Sequence, residues 1–180
     1  GEGFVVDANL MESAFSFMEP HIPAYDQLGH IANRAGSRLP GVAPNGLFKT
    51  RDARHIQIAA SANPVFKRLC QVMGRGDWVT DERFATARAR GQHQELLEGM
   101  VQDWVATQDL APLEAVLIDN DVPATRIFTM ADVFQDPHYA ARDSVARVQH
   151  PALGLLAMAA PAPLLSASPG EILWPGRAIG

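Results

Sequence analysis

Apolar and polar positions follow two different periods along this chain, and the switch between them falls in one stretch, Ala43 to Gly74. Leu47 to Thr50 reads as a first strand and His55 to Ala60 as a second, with Arg51-Asp52-Ala53-Arg54 as the polar turn between them. In the second strand Ile56 and Ile58 alternate with His55 and Gln57, which suits a sheet with one buried face. Beyond Asn63 the period lengthens: Val65, Phe66, Leu69, Val72 and Met73 recur at helical spacing and make one apolar stripe. Asn63 is the predicted N-cap. Pro64 takes the first helical position, where its missing N–H costs no bond, and Gly74 ends the helix at positive φ. The strand-to-helix corner, Ala60 to Asn63, therefore turns backbone N–H groups and small polar side chains outward together. That is the rim of a ligand site, although an ordinary capped corner has the same composition.

The same reading extends in both directions. A helix is predicted from about Asp7 to Met18, with Leu10, Met11, Ala14, Phe15 and Met18 as its apolar face and Asp7 or Asn9 as its cap. Pro20 and Pro23 kink or end it. Tyr25 to Pro44 has no sustained period and reads as a connection, its Arg34 and Arg38 either solvated or facing anionic groups. Thr80 is the predicted cap of a brief helix. A longer one, Gln92 to Ala106, carries His93, Leu96, Leu97, Met100, Val101, Trp104 and Val105 inward. Asp109 is the expected cap of a helix from Leu110 to Asn120, with Leu113, Val116 and Leu117 buried, and Asp119-Asn120-Asp121 is its end. A short strand at Thr125 to Phe128 precedes a Thr129-capped helix, Met130 to Phe134, and another begins at Asp136-Pro137. Val145 to Gln149 and Leu155 to Met158 are strands around a turn, and the tail from Ala160 carries little regular structure.

Composition narrows the function classes. The chain has 180 residues and a formal charge of −5, with no basic run to neutralise phosphates, which argues against a nucleic-acid partner. Its single cysteine, Cys70, excludes an internal disulfide and fits a reducing, cytoplasmic setting; on the helix stripe it reads as a buried, inert thiol. The most apolar tract, Leu153 to Ala167, is cut by Pro161 and Pro163 and is too short to span a bilayer. No basic region opens the chain as a secretory leader would. A start at Gly1 rather than at methionine is expected of a piece of a longer protein, though a trimmed leader would look the same. Gly1-Glu2-Gly3 is a turn rather than a dinucleotide loop, because no strand precedes it. The six histidines are scattered, so no metal site is expected. Ser61 has no base placed near it by sequence, and Asp7 near a helix start reads as a cap or dipole partner. Residue types alone specify an α/β fragment and no reaction.

The order of several short motifs carries a resemblance. Gly1-Glu2-Gly3 through Val6-Asp7-Ala8-Asn9-Leu10-Met11-Glu12-Ser13-Ala14, then Ala43-Pro44-Asn45-Gly46-Leu47-Phe48-Lys49-Thr50-Arg51-Asp52, Phe66 through Leu69-Cys70 to Gly74, and Asp81-Glu82-Arg83-Phe84 come first. Asp121-Val122-Pro123-Ala124, Asp136-Pro137 with Ala141-Arg142, and His150-Pro151 with Leu153-Gly154 follow. Each is weak alone. Together they span nearly the whole chain, which resembles the C-terminal half of a family III CoA-transferase of the CaiB/BaiF type, the group of formyl-CoA transferase and carnitine CoA-transferase.

The resemblance implies an α/β fold in which a small α/β domain, a hairpin plus helices, is flanked by segments of a Rossmann-like large domain. Residues 1–20 would be a helix of the large domain, 21–42 a linker, 43–128 the small domain, and 129–180 a linker and the return to the large domain. It implies transfer of CoA from an acyl-CoA thioester to a carboxylic acid through an aspartyl intermediate, the aspartate lying upstream of Gly1, so that this chain holds no catalytic residue and is inactive alone. Leu10 matches a position near CoA. Ser61, Ala62 and Asn63 match a segment facing the acyl group. No cofactor or metal is implied; coenzyme A enters as the substrate thioester. The partners implied are an acyl-CoA, a small carboxylic acid and a second copy in an interlocked homodimer, with no membrane. The loop Pro40 to Ala43 falls near a glycine-rich flap of formyl-CoA transferase but lacks its run of glycines, which sets formyl or oxalyl specificity in doubt. Racemase relatives place an acid near the end of the second strand, where this chain has Ser61 and Asn63. Ala53 stands where many members have glycine, at a cost in turn stability if its φ is positive. The rival readings are a non-catalytic binding or assembly module built on this half of the fold, and a related acyl-CoA racemase.

Overall fold

Strand β1 (Asn45–Lys49) and strand β2 (His55–Ala59) form an antiparallel hairpin with Phe48 opposite Ile56 and Gly46 opposite Ile58. These four residues make the buried face, while Leu47, Lys49, His55 and Ala59 point the other way and are exposed, as the period-2 pattern requires. Thr50 N–H donates to the Arg54 carbonyl at 2.9 Å and Ala53 N–H to the Thr50 carbonyl at 3.0 Å, closing a three-residue loop. Ala53 has φ +59°, so the turn does demand the left-handed conformation that favours glycine. Strand β3 (Ala124–Arg126) pairs antiparallel with β2, giving the sheet order β1-β2-β3. The computed structural model describes residues 3, 5 and 7–176; Gly1 and Glu2 of the predicted N-terminal turn, together with Val6, lie outside the described residues.

Helices cover the buried face of this sheet. Helix α3 (Asn63–Val72) contributes Phe66, Leu69 and Cys70, and ends at Met73 and Gly74 (φ +67°). Helix α5 (Gln94–Val105) contributes Leu97, Val101 and Val105, and helix α6 (Leu110–Asp119) contributes Leu110, Leu113 and Leu117. Trp78 and Phe84 fill the space between α3 and the short helix α4 (Ala87–Gln92), with ring centroids 5.7 Å apart. Each such side chain contributes about 1.5–3 kcal/mol on burial. Among the described residues, the buried hydrophobic side chains all fall between Ala43 and Val122.

The remaining elements carry no such core. Helices α1 (Leu10–Phe15) and α2 (His21–Leu28) bury nothing, and Leu10, Met11, Phe15 and Phe17 are all exposed. Helix α7 (Met130–Gln135) opens on the predicted Thr129, in a capping box with Asp132, and helix α8 (Pro137–Ala141) on Asp136. Strands β4 (Val145–His150) and β5 (Gly154–Ala159) form a separate antiparallel hairpin. No helix among the described residues is long and apolar enough to cross a membrane.

Several expected boundaries are corrected. Asn9, not Asp7, caps α1, its side chain accepting from Glu12 N–H at 2.9 Å. The first helix does end ahead of Pro20, closing as a 3-10 turn at Ser16–Met18, and Pro20 and Pro23 then open α2, since proline in a first turn forfeits no intrahelical bond. Thr80 is the C-cap of a 3-10 turn, Gly76–Val79, and opens no helix; the Asp81 carboxylate accepts from Arg83 instead. The helix expected from Gln92 to Ala106 is present as α5, Gln94–Val105; His93 (φ −110°, ψ 29°) separates it from α4 and is exposed rather than turned inward. Its Nδ1 lies 3.0 Å from the Ala89 carbonyl. Leu96 and Val116, expected inside, are exposed. Asp109 precedes α6 without capping it by side chain, because its carboxylate pairs with Arg51; Asp52 reaches Leu110 N–H in its place. Ala62, not Asn63, is the N-cap of α3, for a reason that lies in the site itself.

Candidate functional site

The corner Ser61-Ala62-Asn63 leaves β2 after Ala60, whose N–H donates to the Pro44 carbonyl at 2.9 Å, and enters α3 through Pro64. The first turn of α3 has neither a side-chain cap nor an acidic residue, so the N–H groups at this end have no helical or capping partner. Asn63 does not cap because its Oδ1 is taken: Nη2 of Arg90 donates to it at 2.7 Å. The same Nη2 donates to the Ser61 carbonyl at 2.6 Å, Nη1 to the Phe84 carbonyl at 2.8 Å and Nε to the Ala43 carbonyl at 3.2 Å. The guanidinium lies 4.4 Å over the Phe66 ring and is 1% exposed. Burial pushes its pKa below the ordinary arginine value, and four oxygen acceptors with an aromatic face, rather than a carboxylate, satisfy the charge.

A loop is docked beside this corner. Gln94 accepts from Gly41 N–H at 3.0 Å and donates to the Leu39 carbonyl at 3.2 Å. Arg38 Nε lies 2.9 Å from the buried carboxylate of Glu98, so this arginine is committed within the chain. Gly91 allows the close approach: a Cβ there would lie 2.3 Å from the Gly41 carbonyl oxygen. The 38–43 loop thus reaches the corner along α4 and the start of α5.

A cleft of about 460 Å³ lies elsewhere, lined by Glu114, Ile118, Arg126, Phe128, Asp132 and Asp136 among others. Most of its charges are mutually engaged. Glu114 accepts from both Nε and Nη2 of Arg126, and Asp132 accepts from Arg54 Nη2 at 2.7 Å and from Thr129 N–H at 2.7 Å. Burial pulls the Glu114 carboxyl up, yet the hydrogen bonds from Arg126 hold it below the usual range. Such a paired network ties α6, β3 and α7 to the first hairpin, while the Asp136 carboxylate accepts from the His138 and Tyr139 N–H groups at the start of α8.

The expected site residues are therefore divided. Ser61, Ala62 and Asn63 stand together, half-buried or exposed, around one buried cation. Leu10 is 92% exposed on α1, whose side-chain hydrogen bonds stay within its own turn. Asp7 is exposed ahead of that helix. Cys70 is fully buried, with its thiol pushed up to about 11 by burial, as its place on the stripe implies. Arg90 is the residue that sequence reasoning missed. The pattern of the chain did not mark it: the apolar stripe of α5, Leu97, Val101 and Val105, stops at Gln94, and the non-helical backbone at His93 breaks the helical phase before Arg90.

A family model described as "CoA-transferase family III" matches residues 1–180. The chain is 41% identical over 180 residues to a protein of Chloroflexus aurantiacus named succinyl-CoA–D-citramalate CoA-transferase, covering all of this chain and 45% of that one. It is 33% identical to succinyl-CoA:mesaconate CoA-transferase of Haloarcula hispanica, over 84% of this chain and 37% of that one. A solved CaiB/BaiF family protein from Brucella suis aligns with TM-score 0.64 and 26% identity, over 78% of this chain and 40% of that one. The chain spans less than half the length of these relatives.

Proposed function

Because the chain belongs to CoA-transferase family III, we propose that it is the C-terminal portion of an enzyme that moves CoA from an acyl-CoA thioester to a carboxylic acid. The observation that carries this reading is 41% identity along the full 180 residues to a succinyl-CoA-dependent transferase. Succinyl-CoA as donor and a short dicarboxylate as acceptor are the substrates favoured, since both named relatives use succinyl-CoA. The nucleophile is an aspartate in polypeptide preceding these residues. Its carboxylate oxygen attacks the thioester carbonyl, the C–S bond breaks, and CoA departs as thiolate, leaving a mixed anhydride of the aspartate and the donor acid. The thiolate attacks the aspartyl carbonyl and releases the donor acid. The acceptor carboxylate then attacks the aspartyl thioester, freeing CoA thiolate once more; attack on the acceptor's carbonyl yields the new thioester and regenerates aspartate.

In this reading residues 43–128 are the small domain and Ser61, Ala62 and Asn63 form a wall of the acyl pocket. Residues 1–20, with Leu10 near CoA, and 129–180 belong with the large domain, and the whole protein is an interlocked homodimer in the cytoplasm. The confinement of buried apolar side chains to residues 43–122, against exposed Leu10, Met11 and Phe17, supports that division. Asn63, an amide whose oxygen is held by Arg90, offers no base for α-proton exchange, which favours transfer over racemisation. The test is to incubate the full-length protein with succinyl-CoA and D-citramalate or mesaconate. CoA transfer and a CoA adduct on an aspartate upstream of Gly1 are expected, with neither from the 180-residue chain alone. Turnover by the chain alone, or α-proton exchange without carboxylate exchange in the full-length protein, would contradict the proposal.

A further inference from the structure

We propose that Arg90 is a positioning residue for the acyl pocket, setting the Ser61–Asn63 corner against the end of the 38–43 loop and so deciding which acyl group is accepted. The inference rests on the reading that this corner faces the acyl group. One planar guanidinium joins three segments distant in sequence: the Ala43 carbonyl, the Ser61 carbonyl with Asn63 Oδ1, and the Phe84 carbonyl. Placing a full charge at 1% exposure is unfavourable in itself, and an apolar side chain of similar volume would fill the same space without that cost. What the apolar side chain could not do is hold four oxygens at fixed angles. Lysine could not do it either, because its ammonium is a point donor rather than a rigid fork. With Oδ1 engaged, Asn63 presents its amide NH2 as the free end of the side chain, beside the uncapped first turn of α3. Gly91, next in sequence, lets the Gly41 carbonyl pass closer than any Cβ would allow, so the loop and the corner are set by neighbouring positions of α4.

The test uses the full-length enzyme with Arg90→Lys, Asn63→Ala and Ser61→Trp, measuring kcat and KM for succinyl-CoA and butyryl-CoA together with thermal unfolding. Arg90→Lys is expected to raise KM for succinyl-CoA on the order of tenfold or more, with a smaller change in kcat, and to compress the succinyl/butyryl ratio of kcat/KM. Asn63→Ala, which keeps Arg90 on its three carbonyls, should compress the ratio in the same direction, and it decides the question if Arg90→Lys does not fold. Partial recovery of the ratio in Arg90→Ala by added guanidinium would support the positioning role. A ratio unchanged in Arg90→Lys, with only a lower unfolding temperature, makes Arg90 structural and overturns the inference, provided Ser61→Trp does shift the ratio. If Ser61→Trp also leaves it unchanged, the corner does not face the acyl group and the underlying reading fails as well.

Discussion

Ala53 offers the sharpest test of the local physics. It closes the three-residue loop between β1 and β2 at φ +59°, with its N–H donating to the Thr50 carbonyl at 3.0 Å. An L-residue held in the left-handed region costs roughly 1–2 kcal/mol, and glycine there costs almost nothing. Glycine in turn makes the unfolded chain more disordered, which returns roughly 0.5–1 kcal/mol. The difference predicts that Ala53→Gly stabilises by about 0.5–1 kcal/mol, a rise of about 1–4 °C in unfolding temperature for a chain of this size. Ala53 is exposed, so no packing term competes. Ala53→Val, which adds a branched Cβ in the same backbone region, should destabilise by about 1 kcal/mol or more. Thermal and urea unfolding of the two variants beside the parent protein measures both effects. Equal or lower stability for the glycine variant, with valine tolerated, would refute the strain argument.

Two further predictions concern titration. Asp81 accepts from Arg83 Nη2 at 2.6 Å and from Arg83 N–H at 2.9 Å, and these bonds hold its carboxyl down to about 2, below its ordinary 3.8. A depressed folded pKa means that the unfolded state binds more protons in this window, so the stabilisation is present above about 4 and is lost as pH falls toward 2. Urea midpoints between pH 5 and pH 2 should therefore fall less steeply for Asp81→Asn than for the parent, and parallel curves would sink the assignment. Cys70, with its thiol pushed up to about 11 by burial, should resist iodoacetamide at pH 8 in the folded protein and react fully once unfolded. Rapid labelling of the native state would show that α3 does not bury it.

Local chemistry was legible wherever a residue's role depends on its neighbours in sequence. The alternation of Ile56 and Ile58, the Phe66–Leu69–Cys70 stripe and the Thr129 cap all follow from period and capping over a few residues, whereas the question of a positive φ at Ala53 came from the family resemblance. Caps shared with distant residues were not legible. Asp109 and Asn63 have the composition of caps, but Arg51 and Arg90, brought in from elsewhere in the sequence, engage their oxygens instead. The exposed face of α1 shows the same limit in reverse: Leu10, Met11 and Phe15 have the pattern of a buried stripe, yet no core within the described residues receives them.

By itself, then, the amino-acid order determined the hairpin, the helical stripes, the inert cysteine and, through the succession of short motifs, the family. Tertiary structure alone decided that Arg90 is buried and that it grips Ala43, Ser61, Asn63 and Phe84 at once. The reason is physical. Periodicity reports which side of an element meets the core, but the partner of a buried charge is whatever oxygen the fold brings within about 3 Å, and that distance exists only after the chain has closed on itself.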